Sequence, residues 1–282
     1  MTPQANEEQE KTPPRASVVV VSRNRVELLR ACLQSIQASQ ERERLQLIVV
    51  DNGSSDGAAQ IESEFPDAQY IRLPKNFGLT KALNLGWRAA DAEYVLFLHD
   101  DTRVDPDAIP LLAAALDANP DASAVCPLLV DDAGQPAPQL GTLPPTGEWR
   151  PAEPVGSEPF AVQYPRGAAL MVRVYFVKAI RQIDARYGQF GSDADLAAEI
   201  RRASRKILLV PTAKVWHRGA SAYSAIERAD FLQSRAVFLG KYYGFGAGIK
   251  ARIASVLGPL AGFRFGELRY TVNGQKIDGT QE

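Results

Sequence analysis

The chain is short of the features that would place it in several common classes. Its 282 residues include only two cysteines, Cys32 and Cys126, both in apolar surroundings. That number and placement give no disulfide framework and no zinc-ligand spacing, and they fit buried thiols in a reducing compartment. No apolar run reaches the length of a membrane span, and the first fifteen residues lack the apolar centre of a signal peptide. There is no excess of charge of either sign. The formal net charge is -1, which argues against a nucleic-acid binder. No internal repeat is visible.

With 45% hydrophobic and 23% charged residues, the composition is that of a globular protein long enough to bury a sizeable core. The opening fifteen residues are polar and proline-bearing, and are expected to be a disordered tail. A β-branched run at Ser17–Val21 then reads as a buried strand. It stops at Ser22-Arg23-Asn24, and Leu29, Cys32, Leu33 and Ile36 follow at helical spacing. Leu45–Val50 is a second strand, closed by the dense turn signal Asp51-Asn52-Gly53-Ser54-Ser55-Asp56-Gly57. A strand at Tyr70–Leu73, a helix marked by Leu79, Leu83 and Trp87, and a strand at Tyr94–Leu98 complete the alternation. Asp105 is expected to cap the next helix, with Pro106 in its first position.

Four alternations of strand and helix predict an α/β fold with a mostly parallel sheet flanked by helices. Ligands of such sheets bind beyond the carboxyl ends of the strands. Asn24, Asp51 and the cluster His99-Asp100-Asp101 all fall there. Two adjacent carboxylates at a strand end repel each other unless a cation lies between them, and a divalent ion with oxygen ligands resolves the repulsion. The plain alternative is a solvated turn.

The second half is less regular. Residues 131–165 are rich in proline and glycine, with Asp131-Asp132-Ala133-Gly134 read as a hairpin turn, and so long a loop points to function. A strand is expected at Gly167–Val172, a helix opening with acids at Asp193–Ala203, and a strand at Ile207–Val210. From Ser224 onward the pattern is helical, with a kink or break expected at Gly258-Pro259.

Several motifs stand in order along this frame: Val49-Val50-Asp51-Asn52-Gly53-Ser54-Ser55-Asp56-Gly57, Asn76-Phe77-Gly78 with Asn84-Leu85-Gly86, and Tyr94-Val95-Leu96-Phe97-Leu98-His99-Asp100-Asp101. Gly167-Ala168-Ala169-Leu170-Met171-Val172, Asp193-Ala194-Asp195-Leu196 and Val215-Trp216-His217-Arg218-Gly219 follow. Together they resemble glycosyltransferase family 2, in its rhamnosyltransferase-like branch, over roughly residues 16–240. The resemblance implies a GT-A fold with a helical C-terminal segment. It also implies a division into tail (1–15), catalytic domain (16–222, with halves 16–127 and 128–222) and C-terminal segment (223–282).

The resemblance further implies residue roles. Asp51 matches the acid that contacts the nucleotide base, with Asn24 beside it. Asp100 and Asp101 match the acidic metal motif, Asp101 as the direct ligand. His217 matches a histidine that completes the metal site, and His99 holds a variable position. Lys81 lies where it can approach the diphosphate, although a solvated helix face accounts for it better. Asp193 matches the catalytic base. Ser192 stands where the family has Glu, which removes a like charge and is expected to lower the base's pKa. Asp195 is expected to brace its helix. Ser22-Arg23-Asn24 replaces the more usual Thr-Tyr-Asn, so the tyrosine's contact with the base is either absent or replaced by Arg23.

The activity implied is an inverting, metal-dependent transfer, with Mg or Mn, of a sugar from a dTDP- or UDP-linked donor to a glycan or lipid-linked glycan. The competing readings are a catalytically degenerate nucleotide- or glycan-binding protein and a nucleotidyltransferase. The second would need a glycine-rich loop after the first strand, and Ser22-Arg23-Asn24 has no glycine. A cytoplasmic protein is expected. Basic and aromatic residues at 247–265 suggest peripheral contact with the inner membrane face, and the other reading is a segment that packs on the catalytic domain or on a dimer partner.

Overall fold

A computed structural model describes residues 13–57, 60–219 and 223–278. The first half runs β1 (Ala16–Ser22), α1 (Val26–Gln37), β2 (Leu45–Asp51), α2 (Ile61–Glu64), β3 (Gln69–Arg72), α3 (Leu79–Arg88) and β4 (Tyr94–His99). These strands pair in parallel in the order β3-β2-β1-β4. The inner strands β1, β2 and β4 are largely apolar because both of their faces are covered, whereas the edge strand β3 is exposed at both of its ends. Val18 and Val20 of β1 face the core under α1. Val19 and Val21 face the core that includes Leu83 and Trp87 of α3. The α3 helix lies so close to β1 that a Cβ on Gly86 would stand 2.3 Å from a methyl of Val19.

The second half continues with β5 (Thr102–Val104), α4 (Ala108–Ala118), β6 (Ala122–Val130), β7 (Pro138–Gly141), β8 (Arg150–Pro151) and β9 (Phe160–Val162). Then come β10 (Tyr164–Pro165), β11 (Ala169–Arg173), α5 (Val174–Ala179), α6 (Ser192–Arg202) and β12 (Lys206–His217). β11 extends the sheet antiparallel to β4, β6 follows, and β12 lies beside β6 with β5 on its far side. The parallel character of the first half therefore gives way to mixed pairing.

Two local features of this half differ from expectation. The α4 helix starts after Asp107, not after Asp105. The Asp105 N–H is held by the Lys214 carbonyl at 3.1 Å, and its own carbonyl accepts from Ala108, so residues 105–107 form a turn. The proline-rich stretch 131–165 is not a bare loop: β10, β7 and β8 form a second, three-stranded sheet within it. The buried Gln139 anchors it, accepting from Leu129 N–H at 2.7 Å and donating to the Pro127 carbonyl at 2.9 Å. The turn at 131–134 is as expected, with Asp131 Oδ1 accepting from the N–H groups of Ala133 and Gln135.

Three helices close the chain: α7 (Ala225–Tyr243), α8 (Phe245–Ala261) and α9 (Phe265–Val272). Ser224 and Glu227 form a reciprocal capping box at the start of α7. The break expected at Gly258-Pro259 is displaced. α8 runs through both residues to Ala261, and the chain reverses at Phe263 in the left-handed region (φ 52°). Among the described residues no helix is long and apolar enough to cross a membrane. Most of the expected N-terminal tail lies outside the described residues. Arg15, at its end, is tied down by its N–H to the Arg44 carbonyl at 2.7 Å.

Candidate active site

The carboxyl ends of β1 and β4 and the far end of β12 meet at one cavity of about 620 Å³. The meeting is a consequence of strand pairing. His99 ends β4, Asp100 and Asp101 turn the chain, and β5 then pairs antiparallel with β12 so that Thr102 faces His217. The bond from Arg218 N–H to the Asp101 carbonyl (3.1 Å) extends that pairing across the site. A residue more than a hundred positions downstream is thereby laid beside the acidic pair.

The two aspartates have different environments. Asp100 points inward, is buried, and accepts from Ser22 Oγ at 2.8 Å and from Arg25 at 3.3 Å. Burial pushes its carboxyl up to about 6. It is not among the residues lining the cavity. Asp101 does line it. Its Oδ1 lies 3.4 Å from His217 Nε2 and 3.8 Å from His99 Nδ1, yet it is buried and makes no hydrogen bond of acceptable geometry. Burial would raise its pKa. The His217 contact and the charges of the two histidines and Arg25 outweigh that and hold it below the usual carboxylate range. His99, 34% exposed on the cavity wall, is pushed down by desolvation to about 4, so its ring is neutral at pH 7.

One atom from each of His99, Asp101 and His217 fits within a mutual distance of 4.8 Å. Two imidazoles and a carboxylate, with a buried carboxylate oxygen left unsatisfied, form a donor set suited to a divalent ion. His99, read from sequence as a variable position, belongs to this cluster. Its place immediately before the acidic pair at a strand end was the available signal.

Asp193 opens the first turn of α6 and lines the same cavity. Its Oδ1 accepts from Tyr164 OH (3.0 Å) and from Ala194 N–H (2.8 Å), and its Oδ2 from Gly167 N–H (3.2 Å). Its pKa is raised by desolvation, which overrides those three bonds. Ser192 beside it is uncharged, so it adds no like charge to that shift. Asp195 is a brace, as expected. It is buried and accepts from Lys241 (2.7 Å), Tyr242 (2.7 Å) and Tyr187 (3.2 Å), joining α6 to α7.

The other expected site residues are scattered. Asn24, in the left-handed region (φ 52°), lines the cavity and knits two loops, donating its N–H to Ser54 Oγ and accepting from Ser55 N–H. Asp51 accepts from Ser54 N–H at 2.9 Å and is not part of the lining. Lys81 departs from expectation. Its ammonium donates to the Asp278 carbonyl at 2.9 Å, since the C-terminal residues lie over α3, and it is not on the cavity wall. Arg25, Arg166 and Arg218 line the cavity instead, and Arg23 does not. The periodicity of the sequence carries no mark of these three arginines.

Two further features were not legible in the sequence. A second cavity of about 240 Å³, walled by Trp149, Phe190, Tyr223, Phe231 and Arg235, shares Asp193 with the first. The buried Asp230 of α7 accepts from Gln189 N–H, Phe190 N–H and Ile277 N–H, fixing the loop that leads into α6.

The family model described as glycosyl transferase family 2 matches residues 17–164. The chain belongs to this family. It is also 27% identical over 218 residues to an N-acetylglucosaminyl-diphospho-decaprenol L-rhamnosyltransferase of Mycobacterium tuberculosis, covering 67% of this chain and 71% of that one. A poly-beta-1,6-N-acetyl-D-glucosamine synthase of Staphylococcus epidermidis is 33% identical over 112 residues, 39% of this chain and 27% of that protein.

Among solved structures, GalNAc-T7 with UDP, GalNAc and Mn2+ superposes with a TM-score of 0.69 at 14% identity. That match covers 94% of this chain and 57% of the other. TarS of S. aureus superposes at 0.60 with 16% identity, over 80% of this chain and 40% of its own. At these identities the likeness is one of fold, the GT-A glycosyltransferase fold. This family 2 chain is thus a glycosyltransferase, and its sequence similarity extends to a rhamnosyltransferase.

Proposed function

We propose that the chain transfers a sugar, with inversion, from a dTDP- or UDP-linked donor held with a divalent ion to a hydroxyl of a glycan or lipid-linked glycan. The observation that carries this reading is the unsatisfied Asp101 Oδ1 between two imidazoles, on the wall of a cavity that also holds Asp193. The larger cavity is of the size that small-molecule sites have. Asp101, His217 and His99 are the residues that would hold the ion. Two nitrogen donors of three favour Mn2+ over Mg2+, which prefers an all-oxygen set. When bound, the ion supplies charge that stabilises the departing nucleotide diphosphate. Arg25, Arg166 and Arg218 add positive charge on the same wall, and Arg25 pairs with Asp100 at 3.3 Å and with Asp101 at 3.5 Å.

Asp193 acts as general base. A carboxylate has about four lone-pair positions, and three are taken by Tyr164, Ala194 and Gly167. The remaining one, on Oδ2, accepts the acceptor hydroxyl's proton as that oxygen attacks the anomeric carbon. Desolvation makes the carboxylate a stronger base than an exposed one. The acceptor sugar occupies the smaller cavity, where the aromatic rings of Trp149, Phe190 and Tyr223 offer flat apolar faces and Asp193 is shared with the donor side. A lipid-linked acceptor accords with the decaprenol-linked substrate in the name of the mycobacterial relative.

Titration calorimetry with UDP and dTDP, with and without Mn2+, tests the donor half. Binding is expected to weaken at least tenfold in EDTA and in Asp101→Ala. Equal affinity in all three conditions removes the metal assignment. Proton NMR of the product's anomeric centre tests inversion, and retained configuration overturns it.

A further inference from the structure

The α8 helix is turned inside out relative to an ordinary surface helix. The residues it buries are Ser255 and Pro259, while its large apolar side chains face away from the protein. Phe245, Ile249, Ile253, Leu257 and Leu260 are all exposed, between 43% and 82%. They recur every four or three residues, so they form one continuous stripe along the helix. The inner face is set by close contact with α7, where a Cβ on Gly248 would stand 2.8 Å from the Gly240 Cα. Folding of the chain does not bury this stripe, and so large an apolar surface on a water-soluble face marks a contact site.

The stripe continues past the end of α8. Phe263 adopts a left-handed backbone (φ 52°) that costs a bulky residue energy, and it is 78% exposed. Phe265 packs edge-on against it, with ring centroids 6.3 Å apart, and is also exposed. The strain is spent on holding two aromatic rings outward at the tip of the helical pair.

Charge selects the occupant. α8 has no acidic residue, and the single acid of α9, Glu267, is buried and bound by Arg228 and Arg264. Among the described residues the exposed charges of this face are Lys250 and Arg269, with Arg264 already paired to Glu267, all cationic, on a chain whose net charge is -1. A second copy of the same face would set cation against cation. An anionic lipid surface neutralises them and accepts the apolar stripe and the aromatic pair at the headgroup boundary.

We infer that α8 and α9 form a membrane-docking surface that seats the protein on an anionic bilayer, with Phe263 and Phe265 as its inserted tip. None of these residues lines either cavity, so the surface stands independently of the transfer reaction. The α7 helix joins the two regions. Its Phe231 and Arg235 wall the smaller cavity, and it packs against α8. A protein held this way has its acceptor cavity built on the same helical layer that meets the lipid.

Flotation of the full chain with phosphatidylglycerol-rich or phosphatidylcholine vesicles, at low and high salt, tests the surface. The chain is expected to float with the anionic vesicles at low salt. Binding is expected to fall at least tenfold at high salt, and likewise in Leu257→Glu and in the double variant Phe263→Ser, Phe265→Ser. Both variants alter exposed side chains, and unchanged thermal unfolding confirms that they fold. Absence of flotation at low salt overturns the inference, as does equal binding by the folded variants. A concentration-dependent dimer in sedimentation that Leu257→Glu dissolves, without vesicle binding, assigns the face to a second copy and also overturns it.

Discussion

Gly167 and Asp193 are in direct contact. The Gly167 N–H donates to Asp193 Oδ2, and a Cβ on Gly167 would lie 2.9 Å from the Asp193 Cβ. The absence of a side chain at 167 lets the turn between β10 and β11 and the start of α6 approach closely enough for the backbone to orient the proposed base.

Gly167→Ala is therefore expected to push Asp193 aside while leaving the donor side intact. A displacement of order 1 Å at a reacting group costs about 100-fold in rate. Turnover should fall by about 10- to 100-fold with nucleotide affinity unchanged. Wild-type turnover would show that the contact has no catalytic consequence.

Asp193→Asn removes the proton acceptor with little change of shape. A general base contributes about 100- to 10,000-fold, so turnover should fall within that range with the donor Kd unaltered, while the amide nitrogen's inability to accept from Gly167 N–H lowers the unfolding temperature slightly. Turnover near that of the wild type, measured with an acceptor the native chain uses, would remove Asp193 as base.

Tyr164→Phe deletes one of the bonds that hold the Asp193 pKa down against desolvation. Its removal raises that pKa further, so the base is protonated over a wider range at the acid end. The acid limb of the kcat/KM profile should move to higher pH, with the loss largest in acid and smallest in alkali. A uniform loss at all pH values would point to packing in place of electrostatics.

Lys241→Met breaks the tie between α7 and α6, where Lys241 meets buried Asp195 at 2.7 Å and Glu199 at 3.0 Å. Leaving a buried carboxylate without its cation costs about 3 kcal/mol. For a chain of this size that lowers Tm by roughly 6–12 °C. The double variant Lys241→Met, Asp195→Leu should recover part of the loss, and no recovery would mean that packing dominates.

Much of this protein is local and so was legible in order along the chain. The strands β1, β2 and β4 are apolar runs because both faces of each are covered, and that pattern needs no knowledge of neighbours. Asp101 and Asp193 stand at element ends where ligands gather. The capped start of α7 is also written locally, in Ser224 and Glu227. Only the tertiary structure decided which acid of the pair faces the cavity, because Asp100 and Asp101 differ by the side of the turn they occupy. It also decided that His99 joins His217, since that depends on β5 pairing with β12. Lys81 was drawn away by the carbonyl of Asp278, almost two hundred residues on. The apolar side chains of α8 could be listed from the sequence, but which of its faces meets α7 is set by the Gly240–Gly248 contact. Periodicity records how apolar residues are spaced along one element, and long-range pairing, close backbone approach and shared carboxylates are properties of elements brought together.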